Sequence, residues 1–229
     1  MTANTEVFGG SSAALGIERQ RVLRNTYALL AVSMIPTVLG AWVGVATGIT
    51  SLMSPMVGLV VFLAGAFGFM FAIEKHKNSG LGVGLLLGFT FFMGLMLARL
   101  LAIVLSKGNG ASLVMMAFAG TSAAFFGMAM LSSVIKRDLS GLAKFLFIGA
   151  IGILVVGIAN VFIQSGALMM TLSVLAVLVF SAFILVDLKR VRDGEETNYV
   201  TATLGVYLSL YNVFQSLLAL LGVFGGERD

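Results

Sequence analysis

The sequence predicts an all-α polytopic integral membrane protein with seven transmembrane helices. Three observations carry that fold class: an apolar composition, seven long apolar stretches with short polar breaks, and basic residues confined to alternate breaks. Of the 229 residues, 59% are hydrophobic and 10% charged, with a mean hydropathy of +1.06. A soluble domain carries about 25% charged residues, so this chain cannot solvate a globular surface and its side chains face lipid or one another.

The elements follow in chain order. Residues 1–24 form a mostly polar tail without the apolar h-region of a cleavable signal peptide, and residues 25–229 form the membrane domain. A spanning helix needs about 20 apolar residues. Seven segments qualify: Tyr27–Val45, Met56–Ile73, Leu81–Leu105, Ala111–Ile135, Leu142–Ile163, Ala167–Leu188 and Val200–Phe224. The first acts as an uncleaved signal anchor, and Pro36 within it is expected to kink the helix. Ser54-Pro55 opens the second span as a cap residue before a first-turn proline. Gly80, Gly84 and Gly88 give the third span small-xxx-small steps, read as bundle packing. Asp138 or Ser140 caps the fifth.

Orientation follows from Lys and Arg in alternate breaks. Arg19, Arg21, Arg24, Lys75, Lys77, Lys136, Arg137, Lys144, Lys189, Arg190 and Arg192 fall on one side, and only Lys107 and Arg228 on the other. This bias places the N-terminus in the cytoplasm and, after seven spans, the C-terminus in the periplasm. The formal charge of +4 is therefore explained by topology and calls for no nucleic-acid partner.

Ionisable and polar groups inside spans are functional candidates by default. Arg99 lies in the outer half of the third span, where it can snorkel outward or line an ion or substrate path. Asp187 closes the sixth span toward the cytoplasm, and two readings are open: a salt bridge to Arg190 three residues on, or a gating or ion-binding carboxylate. Arg99 and Asp187 lie toward opposite faces and should not pair. In the seventh span Thr203, Tyr207, Tyr211 and Gln215 form one polar stripe, and Ser209, Asn212 and Ser216 a second. A lipid-suited arc remains at Val206, Leu210, Val213, Leu217 and Leu220. A helix this polar belongs inside the bundle or beside a watery cavity, whose outer half Asn160 and Gln164 would line.

Enzymatic chemistry finds little support. Cysteine is absent and His76 is the single histidine. That leaves no thiolate nucleophile, cysteine zinc site or His-Glu-x-x-His motif. No serine–histidine arrangement is evident. The seventh span lacks a lysine for a retinal Schiff base. No cofactor is expected.

Five blocks carry a resemblance to a known family. They are Val22-Leu23-Arg24-Asn25-Thr26-Tyr27, Lys136-Arg137-Asp138-Leu139-Ser140, Gly157-Ile158-Ala159-Asn160-Val161-Phe162, Gly194-Glu195-Glu196-Thr197-Asn198-Tyr199 and Leu208-Ser209-Leu210-Tyr211-Asn212-Val213-Phe214. In order and spacing they resemble the Bax inhibitor-1 family, nearest its proteobacterial YccA branch, from about Val22 onward. The resemblance implies a bacterial inner-membrane protein with a central seventh helix wrapped by the other six.

It also implies two functions. Members of the calcium-leak type pair an aspartate in the sixth span with another in the seventh, sharing a proton. Asp187 matches the first position, but Ser209 occupies the second and cannot supply charge. The YccA branch is associated instead with the membrane AAA protease FtsH, as a slowly degraded modulator. A polar N-terminal tail suits capture by such a protease. Asp187, Ser209, Asn212, Arg99 and Asn160 are the candidate gate or ion-path residues. Candidate partners are the lipid bilayer, FtsH and Ca2+.

Overall fold

Every predicted span is a helix in the computed structural model, which describes residues 5–225, with side-chain surroundings from residue 16. The helices are α1 Thr5–Thr47, α2 Pro55–His76, α3 Gly80–Leu105, α4 Gly110–Val134, α5 Ser140–Ile163, α6 Gly166–Asp193 and α7 Tyr199–Phe224. All seven are long and apolar enough to cross a membrane, and no strand occurs among the described residues. Because the connections are short, neighbouring helices run antiparallel. α1 differs from expectation in beginning far ahead of its span, so most of the segment expected as a tail is helical.

Local chemistry sets the boundaries. At α2, the Ser54 hydroxyl accepts from the Val57 N–H at 3.3 Å, with Pro55 in the first turn. Ser165 caps α6 in the same way through Leu168. The Asn198 side chain accepts from both Val200 and Thr201 at the start of α7. For α5 the cap is Asp138, although helix geometry begins only at Ser140: its carboxylate accepts the Ser140 N–H and hydroxyl, each at 2.8 Å. α6 stops at Gly194, whose φ of 84° suits a residue without a β-carbon.

α1 and α3 approach most closely. A β-carbon on Gly94 would overlap the Thr37 carbonyl, and one on Gly40 would overlap the Phe91 carbonyl. Gly44 faces the Ala98 methyl in the same seam. Small residues at this spacing bring backbones together where lipid offers no hydrophobic drive for association. The glycine steps singled out in the sequence do not serve this purpose. Gly80 and Gly84 face open space, and Gly88 meets only the Phe69 ring at ordinary contact distance.

α7 stands at the centre, packed by α1, α2, α3, α4 and α6. The expected lipid arc on it does not exist: Val206 and Val213 are 0% exposed, and Leu210, Leu217 and Leu220 are half-buried between neighbours. α5 is the exception to the expected wrapping. It packs on α6 and touches α2 but does not reach α7, and it turns Phe145, Phe147, Ile148 and Val155 outward.

The buried tyrosines tie α7 in place. The Tyr207 hydroxyl donates to the Thr37 hydroxyl at 2.9 Å, with the Thr90 carbonyl at 3.4 Å as its alternative acceptor. The Tyr211 hydroxyl donates to the Met93 carbonyl at 3.2 Å. Their rings stack near Phe89. Each phenol combines a large apolar body with a satisfied hydroxyl, which an apolar interior requires. Thr37 also donates to Ser33 beside Pro36, where the proline cannot bond the Val32 carbonyl.

Candidate functional site

The basic loops meet at one end of the bundle. Asn198 donates to the Lys77 carbonyl and to the Asn78 side chain, joining the α6–α7 and α2–α3 turns. Arg192 donates to the Ile135 carbonyl at the end of α4, which favours a cation at a helix C-terminus. Val22 of α1 packs with Val191 and Ala202, and the Arg19 side chain lies over Gly194. The charge alternation read from sequence thus corresponds to one physical face. A cavity of about 270 Å³ opens there between α5 and α6, lined by Asp138, Lys144, Lys189, Arg190 and Glu195 among others.

Asp187 sits six residues inside that end on α6, level with Gly205 of α7. A β-carbon on Gly205 would come 3.2 Å from Asp187 Oδ2, so the glycine makes room for the carboxylate between the two helices. The salt bridge to Arg190 is not formed. Arg190 turns to Glu195 at 3.8 Å, and the buried Lys189 ammonium pairs with Asp193. Among the described residues nothing donates to the Asp187 carboxylate. Ser209 is one turn beyond Gly205 on α7 and only 4% exposed, about 6 Å further along the helix axis. The residue that the resemblance sets against the second carboxylate of the calcium-leak type is therefore a buried hydroxyl.

Asn212 joins this group by position only: its amide donates to the Leu208 carbonyl of its own helix at 2.8 Å. No cluster of three or more acidic, His or Cys ligands occurs among the described residues. A lone carboxylate and neutral groups can bind a proton or offer a cation two oxygens, but cannot form an all-carboxylate cage.

Arg99 and Asn160 lie at the opposite end, as expected for Arg99. Asn160 does not line a cavity beside α7, because α5 does not reach that helix. Instead it closes the α5–α6 turn: its carbonyl accepts the Ser165 N–H at 3.0 Å and its amide donates to the Ser165 carbonyl at 3.2 Å. Gln164, between them, adopts φ 55°. Both residues border a groove of about 330 Å³ that Arg99, Pro55, Gly157 and Met169 also line. Asp187 with Ser209, toward the basic end, is therefore separate from Arg99 with Asn160 at the opposite end, and Asn212 lies midway along α7.

Two features escaped the sequence reading. Gly205 matters only through its register against Asp187. The α1–α3 seam is legible in principle, since Gly40-x-x-x-Gly44 and Gly94-x-x-x-Ala98 carry the same spacing signal as Gly80, Gly84 and Gly88.

Comparison with known proteins agrees with this architecture. Residues 19–226 match the family model described as inhibitor of apoptosis-promoting Bax1. An Escherichia coli K12 protein named modulator of FtsH protease YccA is 36% identical over 206 residues, covering 90% of this chain and 91% of that one. An uncharacterized membrane protein of Vibrio cholerae is 36% identical over 225 residues, covering 98% and 99%. An uncharacterized protein of Neisseria meningitidis serogroup A is 36% identical over 214 residues, covering 92% and 94%. With a family match along nearly the whole chain and seven helices of membrane-spanning length around a polar central one, the chain belongs to the Bax inhibitor-1 family.

Proposed function

We propose that this chain is a multi-pass protein of a bacterial inner membrane that modulates a membrane AAA protease of the FtsH type and is itself slowly degraded by it. The basic face lies in the cytoplasm in this reading, with the N-terminus, and the C-terminus lies in the periplasm. The observation that carries the proposal is the similarity to the modulator of FtsH protease, which spans 90% of this chain. The helical N-terminal segment supports it, because it leads into α1 at the basic end, where a cytoplasmic protease would take hold. Among the described residues Arg19 and Val22 hold α1 to the end of α6 and the start of α7, and deleting Thr2–Gly16 leaves both in place. No catalytic activity belongs to this reading.

The test uses cells containing FtsH. Overproduced full-length protein is expected to slow degradation of other membrane substrates. The Thr2–Gly16 deletion is expected to last longer itself and, at matched membrane levels, to protect those substrates less. Equal half-lives for the two forms would sink capture through the N-terminal segment. Unchanged degradation of other substrates under full-length protein would sink modulation.

One observation favours a second reading, a pH-sensitive calcium or cation leak: the Asp187 carboxylate stands between α6 and α7 with no donor among the described residues. Ser209, in place of a second carboxylate, counts against it.

A further inference from the structure

We propose that the groove around Arg99 holds the phosphate of a membrane phospholipid. Arg99 lies six residues before the end of α3, about 9 Å inside the helix, and its side chain is exposed at the bundle surface. A guanidinium there requires an anion or water. Neither the groove nor an ion pair supplies a carboxylate to it among the described residues. The described acidic side chains, from Glu18 and Glu74 to Asp187 and Glu196, belong to the basic half of the bundle.

α2 begins at Pro55 and α6 at Gly166 on the groove wall, and α5 ends beside them at Ile163, so the helix dipoles offset one another and the guanidinium of Arg99 is the charge of the groove. Asn160 does not compete for the anion, since its amide is committed to the Ser165 turn. Met169 and Val161 give the groove an apolar wall open to lipid. A long side chain at this depth reaches toward the headgroup layer, where the lipid phosphate is the abundant anion. The planar guanidinium fork matches phosphate oxygens two at a time. This site stands apart from the protease reading and from Asp187.

The experiment is native mass spectrometry of the detergent-purified full chain with added phosphatidylglycerol. The parent is expected to retain one lipid, and Arg99→Gln to retain at least about fivefold less. Arg99→Lys should fall between them, and Lys107→Gln should match the parent. Gly157→Phe provides a second route if Arg99→Gln fails to insert. A side chain at Gly157 meets nothing within 4 Å, so the ring would fill the groove while leaving Arg99 in place, and lipid retention should drop. Equal retention by the parent, Arg99→Gln and Gly157→Phe would overturn the proposal. Displacement of the lipid by millimolar inorganic phosphate would also overturn it, by assigning the groove to a soluble anion.

Discussion

Asp138 lies outside the spans, in the α4–α5 turn, and hydrogen bonds from the Ser140 N–H and hydroxyl hold its carboxyl below the usual carboxylate range. A carboxyl depressed on folding stabilises the folded state at every pH above its ordinary value of about 3.9. That contribution is lost as pH falls through the depressed one. Asp138→Ala should therefore lower the melting temperature slightly near neutral pH, and the gap should close in strong acid. A gap in helical melting unchanged down to about pH 2 would show that the charge is irrelevant to the cap. Asp187 presents the opposite situation, a carboxylate inside the bundle with a glycine cleared beside it. Its prominence was legible because a charge within an apolar span is rare. That no described side chain pairs with it was not legible. The i, i+3 spacing suggested Arg190, but the chain turns at Gly194 and brings Glu195 back to that arginine.

At the scale of elements, the α1–α3 seam makes the sharpest demand on side-chain size. Gly94→Ala would drive a methyl into the Thr37 carbonyl, and backbone cannot yield as a flexible side chain does. The expected loss is about 1–3 kcal/mol of stability, as for other overpacked interiors. Gly84→Ala faces open space on the same helix and should cost nothing, with up to about 1 kcal/mol gained from helix propensity. Thermal melting of both variants in one detergent compares them, and equal losses would deny the seam. Spacing alone could not choose between the two glycine runs, because it reports that a helix face is small and not which neighbour meets it. A similar limit applies to α7. Periodicity separates two faces only when they meet two environments, and a helix enclosed by five others meets one.

For the whole molecule, the number of helices and their ends, apart from the early start of α1, were legible to within about five residues, because apolar length and short polar breaks are imposed by the bilayer itself. The gathering of basic loops was legible for the same reason. Its direction is tested by single-cysteine labelling, which the absence of native cysteine makes clean. Thr197→Cys, on the basic face, should stay unlabelled by an impermeant reagent added from the periplasm, while Gly108→Cys should react. The reverse pattern would invert the topology. The division of Arg99 and Asn160 from Asp187 along the bundle was legible, but the separation of Asn160 from α7 was not, since it depends on α5 standing outside the ring around α7.

The claim that most needs a direct test is that the chain acts on another protein and does not conduct ions. Purified protein in liposomes loaded with a calcium-sensitive dye, scanned across pH, addresses it. With Ser209 where a paired carboxylate would be needed, calcium entry should match protein-free liposomes at every pH, for the parent and for Asp187→Asn alike. A pH-dependent flux in the parent that Asp187→Asn alters would contradict the claim and make Asp187 the gate of a leak.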